Sequence, residues 1–465
     1  MTASRKEADS LGEVTVPADA LYGAQTARAA ENFPISGWRM PRRFIAALGM
    51  VKQAAATAHK AAGRLDGKIA DAVIAAAGEV VEGRLDGHFV VDVFQTGSGT
   101  STHMNANEVI AYRAIQILGG QVGSRRPVHP NDHVNMGQSS NDVIPTATHV
   151  AAAVAIHTEL VGALQSLRAA LAGKAEQFDD VVKVARTHLQ DAVPIRLGQE
   201  FSGYAAALDD VVGGLQATIA VLCELAIGGT AVGTGLNCPA GFAEEVCRLL
   251  AGKTQLPFKP AANPFLAHTL PLPAVRASAA LRATALALTK IANDIRWLAS
   301  GPRCGLGELI LPALQPGSSI MPGKVNPVIP EAVIQVACQV VGNDAAVVAA
   351  AAGGVGSILE MHLGWPVIAN NLLVSTELLT SAARVFETRC IAGLDADRAR
   401  CAALVEQSLM LATALTPKIG YDAAAEIAKC AHATGKTIRQ VALERGVATE
   451  AELDKLLDLR AQTGA

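Results

Sequence analysis

Aromatic side chains are scarce in this sequence, 4% of 465 residues, and charged residues reach only 17%. A core must therefore be built from Ala, Val, Leu and Ile, and an apolar share of 50% excludes a disordered chain. There is no basic run, and 39 basic against 42 acidic residues leave a net charge of −3. This argues against nucleic acid or a membrane surface as partner. The eight cysteines (223, 238, 247, 304, 338, 390, 401, 430) form no C-x-x-C and no ligand-like spacing. They read as reduced thiols of a cytoplasmic protein, several of them buried. Residues 1–9 lack the apolar stretch of a signal peptide. The longest charge-free apolar stretch, near 345–359, is broken by Gly353, Gly354 and Gly356 and falls short of the roughly 18 residues a spanning helix needs.

What the chain has in abundance is small and branched aliphatic residues in long stretches. At roughly 150 residues per domain its length suggests about three domains. Residues 1–140 read as a mixed, mostly helical N-terminal domain, with polar loops at 95–105 and 119–138. Residues 141–394 read as a central domain of long helices. Within 150–171, Val150, Val154, Val161, Leu164 and Leu171 form one stripe, and Ala153, Ile156, Leu160, Ala163, Leu167 and Ala170 form a second beside it. Two adjacent stripes suit a helix buried in a bundle. Similar patterns at 195–226, 272–299, 328–350 and 366–388 complete a set of five. Their apolar area exceeds what one small bundle buries, so the chain is expected to pack against copies of itself. Residues 395–465 return to short charged helical patterns (397–408, 421–434, 448–459) and read as a small C-terminal domain.

Four polar segments interrupt this scaffold: Gln95-Thr-Gly-Ser-Gly-Thr-Ser-Thr-His-Met-Asn105, His129-Pro-Asn-Asp-His-Val-Asn-Met-Gly-Gln-Ser-Ser-Asn-Asp142, Arg186-Thr-His-Leu-Gln-Asp191 and Pro316-Gly-Ser-Ser-Ile-Met-Pro-Gly-Lys-Val-Asn-Pro327. They bring neutral donors (Ser98, Thr100, Ser139, Ser140, Asn141, Thr187, Asn326) and the cation Lys324 to places where helix ends leave backbone N–H groups free. That inventory suits a small multiply charged oxyanion such as a dicarboxylate. Gly97-Ser-Gly99 lacks the third glycine of a dinucleotide-binding loop. His129 and His133 stand four apart, but Pro130 and Asn131-Asp132 favour a turn, so no metal is expected. His59, His157, His268 and His432 have no comparable polar cluster and read as structural. The last segment carries most weight. Pro316, Gly317, Pro322, Gly323 and Pro327 exclude regular helix or strand, yet Ser318, Ser319, Lys324 and Asn326 crowd into it.

Gly317-Ser-Ser-Ile-Met-Pro-Gly-Lys-Val-Asn326 resembles the signature of the fumarase/aspartase superfamily, and the resemblance runs from Tyr22-Gly-Ala-Gln-Thr-Ala-Arg28 to Ile419-Gly-Tyr-Asp422. Thr96-Gly-Ser-Gly-Thr100, His129-Pro-Asn-Asp132, Ser139-Ser-Asn-Asp142 and Gly228-Gly-Thr-Ala-Val-Gly-Thr-Gly-Leu-Asn237 are most similar to class II fumarases. The resemblance implies a mainly α, three-domain fold whose central five-helix bundle assembles into a twenty-helix tetramer core, with active sites shared by three subunits. It implies reversible hydration of fumarate to (S)-malate through an aci-carboxylate, with no cofactor. Carried across by position, Ser318 would take the C3 proton of malate, and His188, paired with Glu331, would act on the water or leaving hydroxyl. Lys324 and Asn326 would hold the carboxylate on which charge develops. Ser98, Gly99, Thr100, Ser139, Ser140, Asn141, Thr187, Ser319 and Val325 would bind the rest of the dicarboxylate. Arg126, His129, Pro130, Asn131 and Asp132 would match the family's second anion site.

The chemistry fits these residue types. A C–H bond beside a carboxylate is barely acidic, and preorganised donors around that carboxylate make its loss accessible, at about 3–4 kcal/mol for one such donor. Serine becomes a base only when neighbouring N–H groups and a cation stabilise its alkoxide. Two positions depart from the family pattern: His103 and His362 stand where asparagine is usual. They are expected to lie near each other and to reshape one wall of the site. Three rival readings are an ammonia-lyase of the same superfamily acting on aspartate or a relative, a non-catalytic oligomeric scaffold, and a histidine metalloprotein.

Overall fold

The computed structural model describes residues 3–464, which are mainly helical and divide into two compact units. The first unit holds the chain up to Gly162 with Val212–Ala285 and Ala337–Thr380. Its Arg42–Ala61 helix buries Phe44, Ile45, Leu48, Val51 and Ala55 on one face. That face crosses Gly67–Val81 closely at Gly49, where an added Cβ would stand 3.0 Å from Val80. Asp66 caps the second helix by accepting from the Lys68 and Ile69 N–H groups. The Thr100–Ile117 helix is buried nearly all round, and its Glu108 carboxylate accepts from the N–H groups of Gly23, Gln25 and Thr26. It thereby caps the Ala24–Asn32 helix and explains why the 22–28 motif sits where it does.

All five expected long helices form. Ser140–Gln177 runs through one π-helical turn at Ile156–Leu160, and Leu197–Leu222, Leu272–Leu298, Val328–Ala351 and Trp365–Phe386 follow. Val150, Leu164 and Leu171 of one stripe and Ile156, Leu160 and Leu167 of the other are all buried. Two expectations need correction. The 95–105 segment is a loop only in its first half, because Gly99, at φ +77°, turns the chain into a helix that starts at Thr100. Its polar residues are satisfied inside: Gln95 Oε1 accepts from the Thr102 N–H, and Asn105 bonds His88 O and the Val90 N–H. The stretch near 345–359 is in its first half the end of Val328–Ala351, a helix which Glu331 and Asp344 punctuate without ending it. This helix, Ser140–Gln177 and Leu197–Leu222 are each long and apolar enough to cross a bilayer by length and composition alone. The fold buries 61% of the most apolar window of Ser140–Gln177 but only 33% of that of Val328–Ala351, leaving Val341 and Val348 exposed.

The second unit comprises Ala163–Val211, Leu286–Val336 and the chain from Ser381. Its main sheet is the hairpin Val182–Thr187/Gln190–Arg196. Glu308, fully buried, accepts from Arg186 Nη1 (2.8 Å) and Nη2 (3.1 Å) and lies 3.3 Å from Lys183 Nζ, which also pairs with Glu200 at 2.9 Å. A bidentate guanidinium–carboxylate pair fixes orientation as well as distance, so this cluster sets the hairpin's angle. The short helices Arg398–Gln407, Tyr421–Thr434 and Glu450–Leu456 match the three C-terminal patterns. Leu411, Leu415, Ile427, Ile438, Val441 and Leu453 give this region its own core. All eight cysteines are free, with Cys223, Cys247, Cys390 and Cys401 buried.

Candidate functional site

The 317–326 segment is a closed crook. The Gly317 N–H donates to Lys324 O (2.7 Å), and Asn326 Nδ2 donates back to Gly317 O (2.7 Å). Gly317 is required there, since a Cβ would stand 2.8 Å from Lys324 O. Inside the crook, Ser318 Oγ accepts from the N–H groups of Ile320 (3.2 Å) and Met321 (2.9 Å). Two amide donors aimed at one hydroxyl oxygen favour its anionic form. The loop lines a cavity of about 470 Å³ with Ser318, Lys324 and Val325 in its wall. Lys324 is exposed, and among the described residues no carboxylate pairs with it. One amide hydrogen of Asn326 is spent on closing the crook, which leaves one for a ligand.

His188 sits at the tip of the hairpin. Thr187 pairs with Gln190, so His188 and Leu189 are the whole loop, at φ +57° and +61°. Such a turn normally takes Asn-Gly. Two L side chains in this region cost about 1–2 kcal/mol each, and both are exposed, so no packing offsets that cost. Strain of this kind fixes the direction in which His188 projects. Within this unit, no hydrogen bond among the described residues joins His188 to Glu331 or Ser318. Glu331 is half-buried in the first turn of Val328–Ala351.

Ser319 follows Ser318 in the crook and is exposed, and the remaining expected residues belong to the first unit. Ser98 and Gly99 are buried, and Ser98 Oγ bonds Thr100 Oγ1 at 2.8 Å. Ser139 caps the Ser140–Gln177 helix: its Oγ accepts from the Asn141 N–H, while Asp142 Oδ1 accepts from the Ser139 N–H. Asp142 Oδ2 then accepts from the N–H groups of Gly228 (3.1 Å) and Thr230 (3.0 Å), and Asn141 Nδ2 donates to Ala231 O (2.8 Å). This welds the 139–142 segment to the glycine-rich 228–237 segment. Of the second anion set, Asn131 and Asp132 line a cavity of about 480 Å³ with Ser139 and Asn237. His129 caps the short Pro130–Val134 turn, its Nδ1 accepting from the Asn131 and Asp132 N–H groups, and Arg126 is exposed nearby in sequence. Among the described residues no group of three or more His, Cys, Asp or Glu gathers as a metal would require.

The sequence reading missed Lys52, Asn135, Gln138 and Asp142 as parts of this region. Lys52 is fully buried and touches His103 Nε2 (2.7 Å), Asn135 Oδ1 (3.0 Å) and Gln138 Oε1 (2.9 Å), while His103 Nδ1 meets Ser140 Oγ at 2.8 Å. The titratable groups facing Lys52 are His103 and Asp142. Burial brings the Lys52 ammonium down to about 7 and raises the Asp142 carboxyl to about 7, their mutual attraction opposing both shifts. Burial also holds the His103 imidazole well below its ordinary value. A legible signal existed: Ile45, Leu48, Lys52, Ala55 and His59 form one helical stripe, on which a lone lysine is conspicuous. His362 has other neighbours. Its Nδ1 accepts from the Gly364 N–H, its ring packs edge-on against Trp365, and burial lowers it to about 4. The two segments do meet, with the Trp365 N–H donating to Gly97 O, but among the described residues the two imidazoles share no hydrogen-bond partner.

A family model described as lyase matches residues 12–342, and one described as fumarase C C-terminus matches 411–464. The class II fumarate hydratase of Ralstonia nicotianae is 53% identical over 97% of both chains. The mitochondrial fumarate hydratase of Danio rerio is 52% identical over 97% of this chain and 89% of its own length. Among solved structures, the recombinant class II fumarase of Schistosoma mansoni superposes with a TM-score of 0.96 at 41% identity, covering 99% of each chain. A fumarate lyase:delta crystallin from Brucella melitensis, bound to cobalt, superposes at 0.95 with 46% identity over the whole of both chains.

Proposed function

Because the chain belongs to the class II fumarase family of lyases, we propose that it interconverts fumarate and (S)-malate, with Ser318 as the base. The observation that carries this is the crook: Ser318 Oγ receives two backbone N–H groups beside an ammonium that no carboxylate among the described residues neutralises. In the malate direction the Ser318 alkoxide takes the C3 proton. The C–H electron pair moves into the adjacent carboxylate, where the Lys324 ammonium and the free Asn326 N–H meet the growing charge. The C2–O bond then breaks, and His188 gives a proton to the departing hydroxide, releasing water. Ser98, Thr100, Thr187, Ser139, Ser140, Asn141 and Ser319 supply neutral donors for the rest of the dicarboxylate. Arg126 and residues 129–132 form a second anion site.

His188 needs a carboxylate to orient it, and in this reading Glu331 of another copy supplies it. A homotetramer with shared sites fits the exposed Val341 and Val348 of a helix that the single chain buries poorly. The test is the ultraviolet absorbance of fumarate with purified protein, with and without ammonium. Hydration in plain buffer, with malate as product and no response to ammonium, is the expected result. Consumption of fumarate only when ammonium is supplied would assign an ammonia-lyase instead.

A further inference from the structure

Lys52, buried and outside the catalytic set, has three partners, and two of them have fixed polarity. The Asn135 Nδ2 group donates to Gln138 O, and the Gln138 Nε2 group donates to Val134 O and Met136 O, so both amide oxygens face Lys52 as acceptors. An ammonium has three hydrogens. While Lys52 is protonated, below about pH 7, its third is directed at His103 Nε2, 2.7 Å away, which must then accept it. Burial keeps the imidazole neutral, so its one proton sits on Nδ1 and points at Ser140 Oγ. The Ser140 hydroxyl, having accepted that proton, has its own hydrogen free, and among the described residues no acceptor takes it.

We infer that His103 is a positioning residue: it relays the polarity of Lys52 to Ser140, so that the Ser140 hydroxyl is presented outward as a donor to a substrate carboxylate. The inference rests on the proposed placement of Ser140 in the dicarboxylate site. An asparagine at 103 would also offer one acceptor and one donor, so the relay requires that pair of groups and not an imidazole as such. With the opposite tautomer, His103 Nδ1 would draw the Ser140 hydrogen inward and leave an oxygen lone pair facing the carboxylate.

A double-mutant cycle on the full-length protein at pH 6, where Lys52 is protonated, tests this with (S)-malate as the probe. Ser140→Ala is expected to raise KM about ten-fold with kcat changed less than about three-fold, the loss of one hydrogen bond to a charged group. His103→Leu is expected to do the same, and His103→Asn to restore KM to within about three-fold of wild type. In the Ser140→Ala background, His103→Leu should add less than about two-fold, because the relay has already lost its end. Full multiplication of the two effects overturns the relay while leaving the site reading intact. An unchanged KM in Ser140→Ala overturns the placement of Ser140 and the relay with it. Nitrogen NMR of histidine-labelled wild-type protein at the same pH 6, with the signal assigned by its loss in His103→Asn, reads the tautomer without relying on the stability of the leucine variant. Nδ1–H supports the relay, and Nε2–H overturns it.

Discussion

Asp142→Ala is the substitution whose cost the structure specifies most fully. The carboxylate is fully buried and is the acceptor for three backbone N–H groups: Ser139 at 2.9 Å, Gly228 at 3.1 Å and Thr230 at 3.0 Å. Alanine leaves all three without a partner. The Thr230 donor is buried and the other two are half-buried, so at about 1–3 kcal/mol for the first and about 1 kcal/mol for each of the others the loss is about 3–5 kcal/mol. Two terms act on this sum. Removing the carboxylate relieves the desolvation that raises it to about 7, while Lys52 loses its nearest negative charge. They oppose each other, so the expected destabilisation stays near 3 kcal/mol. Asp142→Asn should cost about half as much, because its oxygen can still serve Gly228 and Thr230 while its amide faces the Ser139 N–H. Urea unfolding followed by circular dichroism measures both. KM should rise as well, since Ser139 to Asn141 lose their fixed register against 228–231. An Asp142→Ala protein within 1 kcal/mol of wild type would refute the claim that this carboxylate joins the two segments.

The remaining perturbations probe other joints. Lys52 titrates near 7 when folded but near 10.5 when free, so the unfolded chain binds more protons between those values and stability must rise with pH across that window. Asp142, raised from 3.8 to about 7, has the opposite slope between about pH 4 and 7. The unfolding free energy of wild type should therefore rise relative to that of Lys52→Met from pH 7 to 10, by on the order of 4 kcal/mol, and a constant difference would contradict the lowered titration of the buried Lys52 amine. Gly97→Ala places a Cβ 2.1 Å from Leu363 O and should destabilise by about 1–3 kcal/mol, read as a lower unfolding midpoint. Glu308→Leu strands Arg186 and leaves Lys183 with Glu200 alone, and should cost about 3–5 kcal/mol, with kcat falling as the hairpin that carries His188 loosens; an unchanged midpoint would show that the cluster is dispensable.

Periodicity carried the helices. Two stripes over 150–171 were readable because burial from two sides leaves apolar residues at both 3- and 4-residue spacings, and the structure buries both. The crook at 317–326 was readable because three prolines and two glycines forbid anything regular. The start of a helix at Thr100 was not, since its polar residues look like loop until their buried partners in the 88–95 segment are known. The role of Asp142 is not legible in its motif, because two of the N–H groups it accepts from lie 86 and 88 residues further along, a separation no local pattern encodes. The relation of His103 to Lys52 is hidden for the same reason.

The base in the crook is the claim on which the chemistry turns, and kcat of Ser318→Ala with (S)-malate tests it most directly. Among the described residues Ser318 hydrogen-bonds only within its own loop, so the variant should fold with an unchanged midpoint and bind malate with a similar KM. Its kcat should fall about 10²–10⁴-fold, the contribution expected of a positioned proton acceptor. Turnover within a few-fold of wild type would contradict the account.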